Sequence, residues 1–192
     1  MIIVDNALRE REREGRPIRV GVLGAGFMAQ GLVNQIRNSV PGMEVAAIYG
    51  RRPERALDVY RYAGEEDAVT ASGSDLEDAL RANRAVVTED PFDLSRAEGI
   101  DAIMDVTGSV ELGTRVALDA FEHGTHFIAM NAELDATVGP ILHVHARRHD
   151  VEFSACDGDE PGLQLDLYRW VRGLGLTPRV MGNVKGLQDP YR

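Results

Sequence analysis

The segment from Ile18 to Ala29, which reads IRVGVLGAGFMA, constrains the fold of this chain more than any other stretch. An apolar run typical of a buried strand passes directly into a glycine-rich turn and then into a run typical of a helix. Gly24, Gly26 and Ala29 occupy the small-residue positions of the GxGxxG/A dinucleotide fingerprint. There the first glycine permits the tight turn, the second lets a pyrophosphate approach the backbone, and the third position lets helix and strand pack closely.

The helix after this turn supplies the second part of the predicted phosphate site. Its first-turn N–H groups have no partner within the helix, so they would face the phosphates. The cofactor-binding residues predicted from this segment are Gly24, Gly26, Phe27, Met28 and Ala29.

The end of the second predicted strand, Met43 to Tyr49, indicates which dinucleotide is bound. NAD-binding folds usually place Asp or Glu about 20 residues beyond the glycines, where the carboxylate binds the ribose 2′-hydroxyl. This chain instead reads Tyr-Gly-Arg-Arg-Pro, with Arg51 and Arg52 and no carboxylate. Two guanidinium groups suit the 2′-phosphate of NADP, which they can hold by charge-assisted, often bidentate hydrogen bonds. The alternative is that both arginines only complement an acidic surface.

The charge balance and the cysteine count limit the possible partners. A formal net charge of -10 argues against a nucleic-acid or anionic-membrane binder, because neither attracts an acidic protein. Cys156 is the single cysteine, which excludes an intrachain disulfide and any multi-cysteine metal site. No apolar stretch reaches membrane-spanning length, and residues 1–17 are too charged for a secretory signal. We therefore expect a cytoplasmic protein with a small-molecule substrate, and we also expect a homo-oligomer.

Strand and helix patterns alternate along the chain, which predicts an α/β fold with a doubly wound, Rossmann-type parallel sheet. Strands are predicted over 18–23, 43–49, 85–88, 100–106, 126–130, 151–155 and 179–184. Helices are predicted after the glycine turn and over 53–64, 75–83, 110–122, 140–149 and 163–173. Pro140 is expected in the first turn of its helix, where its missing N–H costs little. Asp5 and Ser74 are the expected N-caps of an N-terminal helix and of the helix over 75–83.

Three regions are predicted. They are a helical arm over 1–16, an NAD(P)-binding domain over 17–155 and the start of an incomplete substrate or catalytic domain over 156–192. The arm either packs across a partner subunit or forms a solvated helix that leans on its own domain, and its mixed charges favour the second interpretation. Little chain remains for a substrate domain that would cover the cofactor, so we expect the front part of a longer protein.

Two further strand ends are predicted to meet the cofactor. The strand over 100–106 ends in Thr107 and Gly108, and the strand over 126–130 ends in Asn131. The carboxyl ends of strands in a doubly wound sheet line the ligand crevice. Thr107, Gly108 and Asn131 are therefore expected on the nicotinamide side of the cofactor.

The acidic segment CDGDEPG follows the strand over 151–155. Asp157, Asp159 and Glu160 could serve as acid–base groups for a polar substrate, and Asp159 and Glu160 could hold Mg2+ or Mn2+ as hard oxygen ligands. Alternatively, Asp159 or Glu160 caps the helix that follows. The two interpretations stay open and do not exclude each other. Cys156 is expected to be a buried small residue rather than a nucleophile, because no histidine lies near it in sequence.

Several segments together give the chain a resemblance that covers essentially its whole length. They are GVLGAGFMA, GRRPERA, DVTGS, IAMNAELD, CDGDEPG and NVKGLQDPYR. The set resembles the homoserine-dehydrogenase-like oxidoreductases, and within them a bacterial subgroup that carries a C-terminal SAF domain. Some members of that subgroup are DXR-like reductoisomerases, which convert 1-deoxy-D-xylulose 5-phosphate to 2-C-methyl-D-erythritol 4-phosphate with NADPH and a divalent metal. The resemblance implies NADP as the cofactor, with Mg2+ or Mn2+ as an additional metal.

The resemblance also implies an activity, with one departure. Homoserine dehydrogenases carry a TANK motif whose lysine is functional, but residues 129–132 read AMNA here, so the asparagine is kept and the lysine is lost. Lys185, in NVKG, is the cation expected to reach the substrate, unless it is an ordinary surface lysine. The implied catalytic residues are Lys185, Asp157, Asp159 and Glu160. The implied reaction is hydride transfer between NADPH and a carbonyl of a small polar substrate, phosphorylated or not. The alternatives are homoserine dehydrogenase proper and a non-catalytic nucleotide-binding module.

Overall fold

The structure, a computed structural model, describes residues 4–156 and 162–182. Contacts between Cα atoms divide the chain into two compact units, Met1–Ala155 and Cys156–Arg192. The first unit contains a seven-stranded sheet. The described part of the second unit contains one helix followed by an irregular segment.

The strands of the sheet are β1 (Ile18–Leu23), β2 (Met43–Tyr49), β3 (Val69–Thr70), β4 (Val86–Thr88), β5 (Ala102–Asp105), β6 (His126–Ala129) and β7 (Phe153–Ala155). Their order is β3-β4-β2-β1-β5-β6-β7, and every pair runs parallel. Apart from the short edge strand β3, this is the 3-2-1-4-5-6 order of the doubly wound dinucleotide-binding fold. The predicted fold class is confirmed. The strand order reverses between β1 and β5, and such sheets bind ligands in the crevice at this point.

The helices of the described residues have a wide range of lengths. They are α1 (Val4–Arg13), α2 (Phe27–Ser39), α3 (Pro53–Tyr62), α4 (Gly73–Arg81), α5 (Asp93–Arg96), α6 (Val110–Glu122), α7 (Ala132–Arg148) and α8 (Gly162–Gly173). Among the described residues, no helix combines the length and the apolar character that crossing a membrane requires.

Two separate hydrophobic clusters form the core of the first unit, as expected for the two faces of one sheet. In one of them, Val33 of α2 packs with Tyr60 of α3, whose buried hydroxyl donates a hydrogen bond to the carbonyl of Val45. In the other, the rings of Phe121, Phe127 and Phe153 join α6 to β6 and β7, with centroids 6.2 to 6.5 Å apart. Helices packed on both faces leave the carboxyl ends of the strands free to form a site.

Helix α7 begins earlier than predicted. The side chain of Asn131 is its N-cap and accepts a hydrogen bond from the backbone N–H of Leu134, so the helix starts at Ala132. Pro140, expected in the first turn, therefore lies inside the helix, where it removes one backbone donor. The prediction was wrong because the cap, and not the proline, sets the start of the helix.

The cap of α4 is also displaced from its predicted position. Ser72, rather than Ser74, is the cap residue, and its side chain makes no capping hydrogen bond. The first N–H of the helix, that of Gly73, is instead bonded to the carboxylate of Asp93 at 3.2 Å. The short elements α5 and β3 were not predicted, because four and two residues are too few to show a hydrophobic period.

The predicted strand over 179–184 is wrong for its described part, since residues 179–182 form no strand. A strand needs a neighbouring strand for its backbone hydrogen bonds, and the described part of the second unit offers only helix α8. Val180 and Met181 instead line, with Leu167 and Tyr168 of α8, a cavity of about 240 Å³.

The described part of the N-terminal arm forms helix α1, which is mostly exposed and contacts its own domain at Gly42. Helix α1 already begins at Val4, so Asp5 lies in its first turn and is not the N-cap that the sequence predicted. The backbone carbonyl of Leu8 lies so close to Gly42, in the turn before β2, that a Cβ at Gly42 would overlap it. Gly42 also has a φ of +72°, which other residues rarely adopt.

We expect Gly42→Ala to destabilise the protein by about 2–3 kcal/mol, because the new Cβ is strained by φ and displaces α1. Gly15→Ala is the matched control, since Gly15 has a φ of +65° but no atom within 4 Å of an added Cβ. Gly15→Ala should lower the free energy of unfolding by about 1 kcal/mol, which is the effect of the backbone strain alone. Urea unfolding of both variants measures the difference, and equal losses would show that the contact between α1 and Gly42 contributes nothing.

Candidate dinucleotide-binding site

A cavity of about 900 Å³ lies at the carboxyl ends of the central strands, at the point where the strand order reverses. It is lined by the glycine turn (24–26), by the end of β2 with the start of α3 (49–52 and 55), and by the loop after β5 with the first turns of α6 (106–109, 111, 112 and 115). The cavity therefore lies where a doubly wound sheet binds a dinucleotide.

The glycine turn has the geometry that the fingerprint requires. Gly24 has a φ of +123°, and a Cβ there would lie 3.2 Å from side-chain carbons of Val106 and Thr107. At Gly26 an added Cβ would meet no atom within 4 Å, so the position opens onto free space. Ala29 is fully buried against the sheet. Each small residue thus has a different steric reason to be small.

The N-terminus of α2 is open to an anion. Gly26 is the cap residue, no side chain caps the helix, and its first turn contains no acidic residue. The free N–H groups and the helix dipole together favour a phosphate at this end. Phe27 and Met28 are 86% and 52% exposed, and they do not line the cavity. Any contact from Phe27, Met28 or Ala29 to a phosphate would have to come from the backbone.

The turn after β2 is brought close to the glycine turn by Gly50. A Cβ at Gly50 would lie 3.1 Å from that of Ala25 and 3.2 Å from that of Ala56, so a larger residue would push the two turns apart. Arg52 is the N-cap residue of α3 and Pro53 its first residue, which restricts the backbone of this turn. The turn therefore presents Arg51 and Arg52 at the cavity.

Positive charge is concentrated around the cavity although the chain is acidic overall. The charged groups in the lining are those of Arg51, Arg52, Arg55, Glu111 and Arg115. None of the four guanidinium groups forms an ion pair with a residue that the structure describes. Their charge is therefore available to a bound anion.

Arg55 and Arg115 are cavity residues that the sequence analysis missed. Arg55 lies in the first turn of α3, and the charge of Arg51 and Arg52 next to it was the only signal that could have pointed to it. Arg115 lies on α6, and its guanidinium carbon is 5.4 Å from the ring centroid of Phe92, within the range of a cation–π contact. Nothing in the local sequence indicates that this helix face meets the cavity.

The loop after β5 forms the remaining wall of the cavity. Thr107 and Gly108 line it, whereas Asn131 does not. The side chain of Asn131 is 2% exposed, and it bonds to Asp105, Ser109 and Leu134. Asn131 thus has its hydrogen-bonding groups occupied inside the protein.

The predicted catalytic and metal residues lie outside the described residues. These are Asp157, Asp159, Glu160 and Lys185. Within the part that the structure describes, no group of three or more His, Cys, Asp or Glu side chains is placed to hold a metal ion. Burial raises the pKa of the Cys156 thiol, which disfavours the reactive thiolate.

The comparison with protein families gives a match over residues 18–129. The family is Gfo/Idh/MocA, described as an oxidoreductase family with an NAD-binding Rossmann fold. The matched range runs from the start of β1 to the end of β6 and includes the cavity lining.

Three proteins of named activity that resemble this chain are each less than 25% identical to it. A homoserine dehydrogenase of Neisseria gonorrhoeae is 23% identical over 138 residues, which is 71% of this chain and 28% of that protein. The structure of a scyllo-inositol dehydrogenase of Lactobacillus casei, with NAD(H) and scyllo-inositol, gives a TM-score of 0.58 at 17% identity, over 83% of this chain and 41% of that one.

A third relative is a biliverdin reductase of a Synechocystis species, whose structure contains biliverdin and NADP+. It gives a TM-score of 0.58 at 16% identity, over 83% of this chain and 43% of that one. At such identities the two structures show a shared fold. The chain spans less than half the length of all three relatives.

Proposed function

This chain belongs to the Gfo/Idh/MocA family of oxidoreductases with an NAD-binding Rossmann fold, and we propose that the dinucleotide it binds is NADP(H). The observation that carries the proposal is the charge at the end of β2. Arg51 and Arg52 line the cavity there without an ion pair to any described residue, and the described lining on that side contains no carboxylate. Guanidinium groups suit a 2′-phosphate, whereas the free 2′-hydroxyl of NAD is usually held by an acidic residue.

Three parts of the cavity fit NADP(H). Gly26 and the N-terminus of α2 would hold the pyrophosphate, where an added Cβ would occupy open space. Arg51 and Arg52 would hold the 2′-phosphate, and Thr107 and Gly108 would face the nicotinamide half. When bound, the cofactor supplies the hydride. The residues of this chain would position the cofactor and neutralise the charge of its phosphates.

We extend the proposal to the activity of the whole protein. It is an NADP-dependent oxidoreductase that transfers hydride between NADPH and a carbonyl of a small polar or phosphorylated substrate. The sequence segments that resemble the SAF-domain subgroup, including its DXR-like reductoisomerases, support this choice. Asp157, Asp159, Glu160 and Lys185 would bind substrate and stabilise charge on the carbonyl oxygen, with Mg2+ or Mn2+ at Asp159 and Glu160.

The single cysteine fits a reducing compartment, and a cytoplasmic location is part of the proposal. A homo-oligomer stays part of the proposal, and light scattering on the purified protein tests it.

Homoserine dehydrogenase is a second candidate activity. The 23% identity to the enzyme of Neisseria gonorrhoeae favours it. Ala132 disfavours homoserine dehydrogenase activity, because this alanine occupies the position where the resemblance places the functional lysine of the TANK motif. Assays of homoserine oxidation and of 1-deoxy-D-xylulose 5-phosphate reduction on the full-length protein separate the two candidates. A non-catalytic nucleotide-binding module would give turnover in neither assay.

The cofactor preference is tested by calorimetric titration of the wild-type chain. We expect NADPH to bind about 100-fold more tightly than NADH, because only NADPH brings a phosphate to the two arginines. The preference should weaken as salt is added, since the arginines are exposed. Equal affinities for the two cofactors would remove the argument from Arg51 and Arg52.

A further inference from the structure

Asp105, the last residue of β5, is a fully buried carboxylate, and its hydrogen-bond partners among the described residues include no cation. Its Oδ1 accepts from the backbone N–H of Thr107 at 2.8 Å and from the Thr107 hydroxyl at 2.7 Å. Its Oδ2 accepts from the side-chain amide of Asn131 at 3.0 Å. A buried carboxylate is costly unless its oxygens are hydrogen-bonded, so these bonds hold it in one position.

The same hydrogen bonds fix the loop over 107–109 that lines the cavity. The Thr107 hydroxyl also accepts from the backbone N–H of Ser109, and the amide of Asn131 donates to the carbonyl of Ser109, both at 3.3 Å. Both ends of the loop are therefore tied to the buried pair of Asp105 and Asn131. Gly108 lies between them, exposed at the cavity.

The surrounding helices are shaped around this pair. A Cβ at Gly113 of α6 would overlap the Asp105 carboxylate and the side chain of Leu134. Asn131 also caps α7 through the N–H of Leu134 at 3.1 Å. The pair thus joins β5, α6 and α7 at a single point beneath the loop.

We propose that Asp105, with Asn131 as its partner, is a positioning residue that holds the loop over 107–109 for the nicotinamide half of the cofactor. This inference rests on the proposed function. Asn131 then acts through the loop and not by touching the cofactor. In a doubly wound fold each half of the sheet binds one mononucleotide, and the half that begins with β5 serves the nicotinamide. The adenosine half depends on the glycine turn and the end of β2, and the hydrogen bonds of the Asp105 side chain go to Thr107 and Asn131 and not to either of these segments.

The test compares NADPH with 2′,5′-ADP, which carries the adenosine half and the 2′-phosphate but no nicotinamide. In the full chain, we expect Asp105→Asn to weaken NADPH binding by about 10-fold, the effect of losing a hydrogen bond to a charged group. Binding of 2′,5′-ADP should change by less than about 2-fold. The fluorescence of bound NADPH, which reports the surroundings of the nicotinamide, should shift towards that of the free cofactor.

Asp93→Asn is the matched control. The Asp93 carboxylate also bonds a threonine hydroxyl at a strand end, that of Thr88 at 2.6 Å, and a backbone N–H, that of Gly73. It does not line the cavity. We expect this variant to lose stability while keeping both affinities and the fluorescence of bound NADPH.

If Asp105→Asn fails to fold, Thr107→Val removes the hydroxyl that donates to the Asp105 carboxylate and should give the same selective loss. The inference is overturned if a folded variant loses affinity for NADPH and 2′,5′-ADP to the same extent, or if neither affinity changes. Failure of the wild-type chain to bind 2′,5′-ADP and NADPH overturns the proposed function itself, together with this inference.

Discussion

Replacing Arg51 and Arg52 together with alanine is expected to weaken NADPH binding by about 100-fold and to leave NADH binding within about 2-fold. A hydrogen bond between charged groups contributes about 1.5–3 kcal/mol, so the loss of two such contacts accounts for the change. NADH brings no phosphate to this turn, and its affinity therefore depends on the rest of the cavity. The double variant should convert a chain that prefers NADPH into one with little preference.

The matched control is the double variant Arg147→Ala, Arg148→Ala. These two arginines are also adjacent and exposed, but they lie near the end of α7 and do not line the cavity. The control removes the same net charge, so it isolates the local effect from the overall electrostatic attraction of the cofactor. A parallel fall in NADPH and NADH affinity in the first variant would show that the two arginines do not recognise the 2′-phosphate.

The glycine turn could be predicted from the sequence because its requirements are local. Gly24 needs a left-handed φ, Gly26 opens onto free space and Ala29 packs against the sheet, and each demand selects a small residue. The doubly wound fold class could be predicted in the same way, since apolar runs alternate with helical patterns along the chain. These features depend on few distant contacts.

The role of Asn131 could not be predicted, because it depends on residues far away in the sequence. Its position after β6 correctly brought it to the carboxyl edge of the sheet. The direction of its side chain is decided by Asp105 and Ser109, which are 26 and 22 residues distant. Asp105 itself had no visible signal, since a single acid in an apolar strand gives no indication of its partners.

The long helix α7 shows a competition between two local signals. A proline favours the first turn of a helix, and Pro140 placed the start there by that rule. Asn131 offers a side-chain cap eight or more residues earlier, and this cap is the one the chain uses. Both signals are visible in the sequence, and the burial of Leu134, which only the longer helix contains, favours the earlier start.

Gly26→Ala is expected to weaken the binding of NADPH and of NADH equally, by at least about 10-fold. The added methyl group occupies the space that a pyrophosphate would approach. The backbone of Gly26, with φ -94° and ψ -166°, suits alanine, and no atom lies within 4 Å of the new Cβ. Loss of glycine at the cap position should lower the Tm by no more than about 2–4 °C. Binding would thus be lost from a protein that still folds.

Gly31→Ala in the same helix is the control, because Gly31 is exposed and an added Cβ meets no atom within 4 Å. It should raise stability by up to about 1 kcal/mol through helix propensity and leave both affinities unchanged. Calorimetric titration and thermal unfolding of the two variants separate steric blocking from a change in the helix. Wild-type affinity in Gly26→Ala would show that no phosphate approaches this turn. The arginine variants cannot test this point, because they change the affinity for NADPH relative to NADH. Gly26→Ala instead tests the binding of the pyrophosphate, which both cofactors contain.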